Sequence, residues 1–106
     1  MGDKDETLHA PHLIDLEVAQ ALRRLVIAGG LGAARALEAL DDFSDLPLIR
    51  YPHQLVLGRI WELRGQLTAY DGAYVALAEL LGAPLVTRDE RLAKTTGHRA
   101  RIERVG

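Results

Sequence analysis

Apolar residues recur every three or four positions through most of the chain, which is the spacing of amphipathic helices. The segments with this spacing, all predicted to be helical, are residues 12–27, 31–42, 53–63 and 68–81. The residues expected to face the core are Ile14, Val18, Ala21, Leu22 and Leu25 in the first helix, Ala33, Ala34, Leu37 and Leu40 in the second, and Val56, Ile60 and Leu63 in the third. Gly29-Gly30 and Gly82 follow the first and fourth segments, as expected of glycines that end helices.

Short segments between the helices have the character of strands. Leu8–Pro11 is predicted to be extended, because the residue before a proline avoids the helical region. Residues 45–52 are predicted to form a loop with a possible short edge strand, because its two prolines exclude it from the centre of a sheet. Leu85–Thr87 is typical of buried parallel strands, and Arg101–Val105 alternates like a final strand. A short helix from about Asp89 to Lys94 is predicted between them.

Helices that alternate with parallel strands predict an α/β fold of three layers. A chain of 106 residues has the length of a single domain, and no repeat, linker or low-complexity segment divides it. We therefore expect one domain over residues 1–106. Residues 1–7 are polar and are predicted to be disordered or vector-like.

Composition limits the class of protein. Hydrophobic residues make up 48% and charged residues 26%, as in globular proteins. No apolar stretch approaches the roughly 20 residues that cross a bilayer, and the start MGDKDET lacks the features of a secretory signal. The sequence contains no cysteine, which suits a reducing cytoplasm. A net charge of −2 does not by itself indicate a nucleic-acid-binding surface.

Three carboxylates stand where predicted elements begin. Glu17 lies one turn into the first helix, Asp71 lies in the first turn of the fourth, and Asp89 follows the predicted strand at 85–87. Ligands of open α/β sheets collect at the carboxyl ends of the strands. Carboxylates that converge there could hold a hard divalent cation, which polarises a phosphoryl oxygen and activates water for in-line attack.

Each carboxylate also has a purely structural interpretation. Glu17 would favour the helix dipole, and Asp71 has capping-box spacing from Thr68. Asp89 could be an N-cap that contributes about 1 kcal/mol. For each residue taken alone, both interpretations stay open. Other chemistries have less support: His9 and His12 lack further ligands for a metal site, and the glycines near residue 30 do not form a phosphate-binding loop.

Three segments, HLIDLEVAQALRRL, LTAYDGAYVALAELLGAPLVTRDERLA and GHRARIERV, occur in an order that resembles PIN domains, in particular the VapC-type toxins of bacterial toxin–antitoxin pairs. The resemblance covers the chain from Leu8 onward, with 54 positions from Glu17 to Asp71 and 18 more to Asp89. It implies a PIN-like α/β/α fold with a parallel sheet. It also implies a metal-dependent endoribonuclease that inhibits translation and uses Mg²⁺ or Mn²⁺.

The resemblance further implies roles for single residues. Glu17, Asp71 and Asp89 match the metal-binding, catalytic acids of the family. Thr87 and Arg88 border Asp89 and would assist substrate binding. The implied partners are an RNA substrate of the tRNA or rRNA class, a neutralising VapB-type antitoxin and further copies of the chain, in the cytoplasm and without a membrane.

One part of the family pattern is not matched. Family members begin with an apolar strand that ends in aspartate, followed by a helix, and neither Asp3 nor Asp5 follows strand-like residues. We therefore expect an N-terminally incomplete PIN-like domain that lacks this strand and helix, is weak or inactive as a nuclease alone, and self-associates. The alternatives are a non-catalytic remnant that still binds its antitoxin, and an α/β scaffold whose acids only cap helices.

Overall fold

The computed structural model describes residues 7–106, so the prediction for the first six residues lies outside the described part of the chain. The chain divides after Arg50 into two compact units, which we call the N-terminal unit and the C-terminal unit. No helix within residues 7–106 has the length and apolar character needed to cross a membrane.

The N-terminal unit contains two helices and a pair of strands. Its elements are β1 (Leu8–Pro11), α1 (Leu13–Ile27), α2 (Ala33–Ser44) and β2 (Leu48–Tyr51), the last of which ends at the unit boundary. Strands β1 and β2 form a two-stranded sheet. Both helices were predicted, with bounds that agree to within two residues, whereas β1 was predicted only as an extended segment and β2 only as a possible strand within a loop.

Local chemistry explains how these elements end and hold together. Gly29 adopts a φ of +83°, and its N–H donates to the carbonyl of Val26 at 3.1 Å, which ends α1. Arg50 on β2 places its Nε 2.8 and 2.9 Å from the two carboxylate oxygens of Asp15 on α1. The same guanidinium lies 5.5 Å from the ring centroid of Phe43. Arg50 therefore connects β2 to both helices.

The buried faces of the two N-terminal helices were predicted only in part. In α1, the half-buried residues are Leu13, Ile14, Val18, Leu22 and Val26, whereas the expected Ala21 and Leu25 are exposed. In α2, Ala36 is buried with Leu40 and Phe43 half-buried, whereas the expected Ala33, Ala34 and Leu37 are exposed. The prediction of those five residues was wrong because alanines and leucines occur on several sides of these helices, so more than one face has helical spacing.

The C-terminal unit contains the parallel strand pair. Its elements are a 3₁₀ helix (His53–Val56), α3 (Leu57–Glu62), α4 (Ala69–Leu81), β3 (Leu85–Thr87), α5 (Glu90–Ala93) and β4 (Ile102–Arg104). Leu85 pairs with Ile102 and Thr87 with Arg104 in parallel register. Helices together with a parallel strand pair confirm the predicted α/β class.

Helix α4 lies at the centre of this unit. Its apolar side chains take part in two buried clusters, one of Val56, Ile60, Ala73 and Ala76, the other of Leu63, Leu67, Val75 and Leu92. The predicted inward positions 56, 60 and 63 are thus confirmed. The prediction that β3 is a buried strand was wrong, since Val86 is exposed. Successive side chains of a strand point to opposite faces, and only the face that carries Leu85 packs on the second cluster.

Candidate active site

Asp89 begins α5 directly after the end of β3. Its Oδ1 accepts hydrogen bonds from the N–H groups of Arg91 and Leu92 at 2.9 and 3.2 Å, so the predicted N-cap is confirmed. The N–H of Asp89 donates to the Thr87 hydroxyl at 3.0 Å. Oδ2 accepts no hydrogen bond from residues 7–106, and the side chain is exposed. Capping therefore engages one carboxylate oxygen and leaves the other accessible to a cation.

Asp71 lies in the first turn of α4 and is half-buried. Its N–H donates to the Thr68 hydroxyl at 3.1 Å, which makes Thr68 the N-cap as predicted. This bond fixes the backbone that carries the carboxylate. The helix dipole favours a negative charge at this position, so Asp71 also stabilises the start of α4.

Asp71 and Asp89 lie at the same end of the C-terminal unit. Only residues 82–84 connect α4 to β3, and Gly82 adopts a φ of +64° at the reversal. Leu85 of β3 packs on a buried cluster in which Leu92, after β3, joins Leu67, just before α4, so β3 runs back toward the start of α4. The carboxyl end of β3 therefore lies beside the start of α4, where ligands of α/β folds bind.

Glu17 lies on α1 in the N-terminal unit and is exposed. Within each unit, the described residues contain no group of three or more His, Asp or Glu side chains placed to hold a metal ion. The predicted trio draws on both units, so its convergence stays a prediction.

Thr87 and Arg88 form the short link between β3 and Asp89. The Thr87 hydroxyl accepts the Asp89 N–H, and the Thr87 carbonyl accepts the N–H of Val105 at 2.8 Å. Thr87 thus orients the candidate acid. Arg88 is exposed. Their role in substrate binding stays a prediction.

A buried ionic cluster in the same unit was not predicted. The Glu79 side chain is 4% exposed, and its two oxygens accept from Nε and Nη2 of Arg59 at 2.7 and 3.0 Å. The N–H of Arg99 donates to Glu79 Oε2 at 2.6 Å. Glu79 is the one charge within the apolar run from Gly72 to Leu81, and a lone charge in such a run is the signal that could have identified it.

The ion pair shifts the pKa values of both Glu79 and Arg59. The Arg59 guanidinium holds the pKa of the Glu79 carboxyl below its ordinary value, against the opposing effect of burial, and the N–H of Arg99 acts in the same direction. Glu79 in turn raises the pKa of Arg59. Both oxygens of Glu79 accept hydrogen bonds from protein donors, so this carboxylate stabilises the fold.

The sequence matches the model of a known protein family and is similar to several ribonucleases. A family model for the PIN domain matches residues 2–97, a range that includes Glu17, Asp71 and Asp89. Ribonuclease VapC9 of Mycobacterium tuberculosis is 51% identical over 90 residues, which cover 85% of this chain and 71% of that protein. Ribonuclease VapC12 of the same organism is 44% identical over 102 residues, which cover 96% of this chain and 79% of that protein. Its ribonuclease VapC1 is 44% identical over 95 residues, or 89% and 71% of the two chains.

Proposed function

The chain belongs to the PIN-domain family and, within it, to the VapC-type toxins, and we propose that it is a metal-dependent endoribonuclease whose cleavage of RNA inhibits translation. The relatives reported above are named ribonucleases. The structural observation that carries the proposal is the position of Asp71 and Asp89 at one end of the C-terminal unit, with an oxygen of Asp89 accessible.

We propose that Glu17, Asp71 and Asp89 hold Mg²⁺ or Mn²⁺. The donor set consists of carboxylate oxygens, which these hard cations prefer. When bound, the ion would supply charge stabilisation on the phosphate and lower the pKa of the attacking water. The chain itself orients two of the acids, because the hydroxyls of Thr68 and Thr87 fix the backbone N–H groups of Asp71 and Asp89. Such preorganisation is what a catalytic site requires.

The proposed partners follow from the family. The substrate would be RNA of the tRNA or rRNA class, a VapB-type antitoxin would neutralise the activity, and the chain would self-associate in the cytoplasm. Arg88 would contact a phosphate beside Asp89, since its exposed guanidinium is adjacent in sequence and suits phosphate geometry. Thr87 would contribute by holding Asp89 and by its position at the strand end.

An RNA cleavage assay tests the proposal. Purified chain is incubated with bulk tRNA and rRNA in Mg²⁺ or in EDTA, beside the variants Asp89→Asn and Asp42→Asn. Asparagine also caps helices, so Asp89→Asn removes the charge and retains the N-cap. Asp42 is an exposed acid of α2 and serves as the matched control.

We expect weak cleavage that requires the divalent ion, is lost in Asp89→Asn and persists in Asp42→Asn. Cleavage that survives both EDTA and Asp89→Asn would contradict the proposed site. A chain that binds a VapB-type antitoxin but cleaves no RNA under any of these conditions would favour the non-catalytic alternative.

A further inference from the structure

The turn between α3 and α4 presents two aromatic rings to solvent. Trp61 is 66% exposed and Tyr70 is 64% exposed. The chain has five aromatic residues, and the other three, Phe43, Tyr51 and Tyr74, are half-buried. Large rings normally contribute to a core, so two exposed rings around one turn indicate a surface with a use other than folding.

A close helix crossing brings together the chain segments that carry these rings. A methyl group built on Gly72 would lie 3.4 Å from Cγ2 and 3.8 Å from Cα of Ile60, so α3 crosses the first turn of α4 closely. Trp61 is the next residue after Ile60, and Tyr70 and Asp71 directly precede Gly72. The two rings are therefore carried by the two helix segments that meet near the first turn of α4, where a proposed catalytic acid lies.

A cation is held at the same turn. The Arg64 guanidinium lies 4.6 Å from the Trp61 ring centroid, and its Nη1 donates to the Trp61 carbonyl at 2.9 Å. In the described part of the chain, Arg64 has no carboxylate partner, whereas the nearby Arg59 is paired with Glu79 and Glu62. The charge of Arg64 is thus fixed at the ring, and no carboxylate within residues 7–106 neutralises it.

We propose that Trp61, Arg64 and Tyr70 form a stacking surface for unpaired RNA bases beside Asp71. Unstacked bases pack on aromatic rings and on guanidinium planes, and arginine adds attraction for the backbone phosphates. Bases within a duplex are already stacked and do not present these faces. The inference rests on the proposed function for the identity of the ligand, and it adds binding residues that are separate from the acids.

A protein surface is the alternative occupant, because tryptophan and arginine are also frequent at protein interfaces. Leu57, four residues before Trp61, is exposed and would suit either partner. The unneutralised cation favours RNA, since it lies at the turn that leads to Asp71, where a phosphodiester would be cleaved. The two occupants predict different effects of the same substitutions.

The fluorescence of Trp61 reports on binding, because Trp61 is the only tryptophan of the chain. The full chain is titrated with an oligouridylate of about twelve nucleotides. Divalent ions are left out so that the RNA is not cleaved during the titration. We expect saturable quenching of the Trp61 fluorescence. An abasic strand of equal length and a duplex of equal length should produce little quenching.

Substitutions measure the contribution of each ring. Trp61→Ala and Tyr70→Ala should each weaken binding of a labelled oligouridylate by about tenfold, and Tyr70→Phe should restore the affinity. Arg64→Gln should weaken binding and reduce its salt dependence. Leu80→Ala is the matched control, because Leu80 is 58% exposed on the same helix α4 but near its opposite end. Circular dichroism confirms that each variant is folded.

Two outcomes would overturn the inference. The first is equal affinity of the oligouridylate for the unaltered chain and the two alanine variants. The second is a change of oligomeric state in Trp61→Ala, seen by light scattering, with RNA affinity unchanged, which would identify a protein interface. Failure of the nuclease proposal is distinct from both, since it would appear as base-dependent quenching by a chain that cleaves no RNA.

Discussion

Helix α4 carries a carboxylate near each end, and the two ends differ in what surrounds the charge. Near the C-terminal end, Glu79 is buried and accepts hydrogen bonds from Arg59 and from the N–H of Arg99. About 12 Å away along the axis, Asp71 lies half-buried in the first turn, at the same end of the unit as Asp89, whose Oδ2 is accessible. A carboxylate whose two oxygens both accept from protein donors stabilises the fold, whereas the accessible Oδ2 of Asp89 can bind a cation.

The comparison separates two uses of the same chemical group. Removal of the charge at Glu79 should affect stability, whereas removal of the charge at Asp71 or Asp89 should affect activity. Substitutions of these acids distinguish the effect on stability from the effect on activity.

The largest expected effect is on catalysis. Asp71→Asn should lower the rate of RNA cleavage by about a hundredfold or more, because a proposed metal ligand loses its charge. Glu79→Gln should leave the rate per folded molecule nearly unchanged. Single-turnover cleavage at matched concentrations of folded protein measures both. Equal rates in Asp71→Asn and the unaltered chain would remove Asp71 from the site.

The second effect is on stability. Glu79→Gln should lower the free energy of unfolding by about 2 kcal/mol, since it leaves Arg59 without its main partner; this is below the value for fully buried pairs because Arg59 keeps Glu62. Urea unfolding followed by circular dichroism measures the change. Glu62→Gln is the control, and its exposed ion pair should contribute less than about 0.5 kcal/mol. Equal losses of unfolding free energy in Glu79→Gln and Glu62→Gln would contradict the stabilising role of Glu79.

The third effect is on pH dependence. The pKa of Glu79 is lowered below its ordinary value of 4.5 in the folded chain. The contribution of this carboxylate to the free energy of unfolding is therefore fully present above pH 4.5 and is lost as the pH falls through the folded pKa. The stability difference between the unaltered chain and Glu79→Gln should therefore be constant near neutral pH and shrink below about 4.5. Urea unfolding at a series of pH values tests this. A difference that grows in acid would have the wrong sign.

The smallest effect concerns the helix crossing beside Asp71. Nothing lies within 4 Å of a methyl group built on Gly58 of α3, so Gly58→Ala should gain up to about 1 kcal/mol from helix propensity. Gly72→Ala should gain less, because its methyl would contact Ile60 at 3.4 Å. Thermal unfolding of the two variants compares them. A larger gain at Gly72 would show that the crossing is looser than described.

Much of the fold could be predicted because its signals are local. Thr68, Gly82 and Asp89 each cap a helix through atoms within five residues, so sequence spacing was enough to assign them. The parallel pairing of β3 with β4 followed from the order of elements. Asp71 and Asp89 were selected for the same reason, since they stand at element starts.

The remaining features depend on contacts that spacing does not encode. Arg59 and Glu79 are twenty residues apart, and their pairing follows from the packing of α3 on α4. The exposure of Val86 depends on which face of β3 is covered, and that of Leu37 on the rotation of α2. The convergence of Glu17 with Asp71 and Asp89 stays a prediction for the same reason.

Titration calorimetry with Mn²⁺, in the absence of RNA, measures whether Asp71 and Asp89 hold a metal ion. We expect a saturable heat for the unaltered chain and for Glu79→Gln, and loss of that heat in Asp71→Asn and in Asp89→Asn. Unchanged heat in both asparagine variants, or a loss confined to Glu79→Gln, would contradict the assignment of these acids as the metal site.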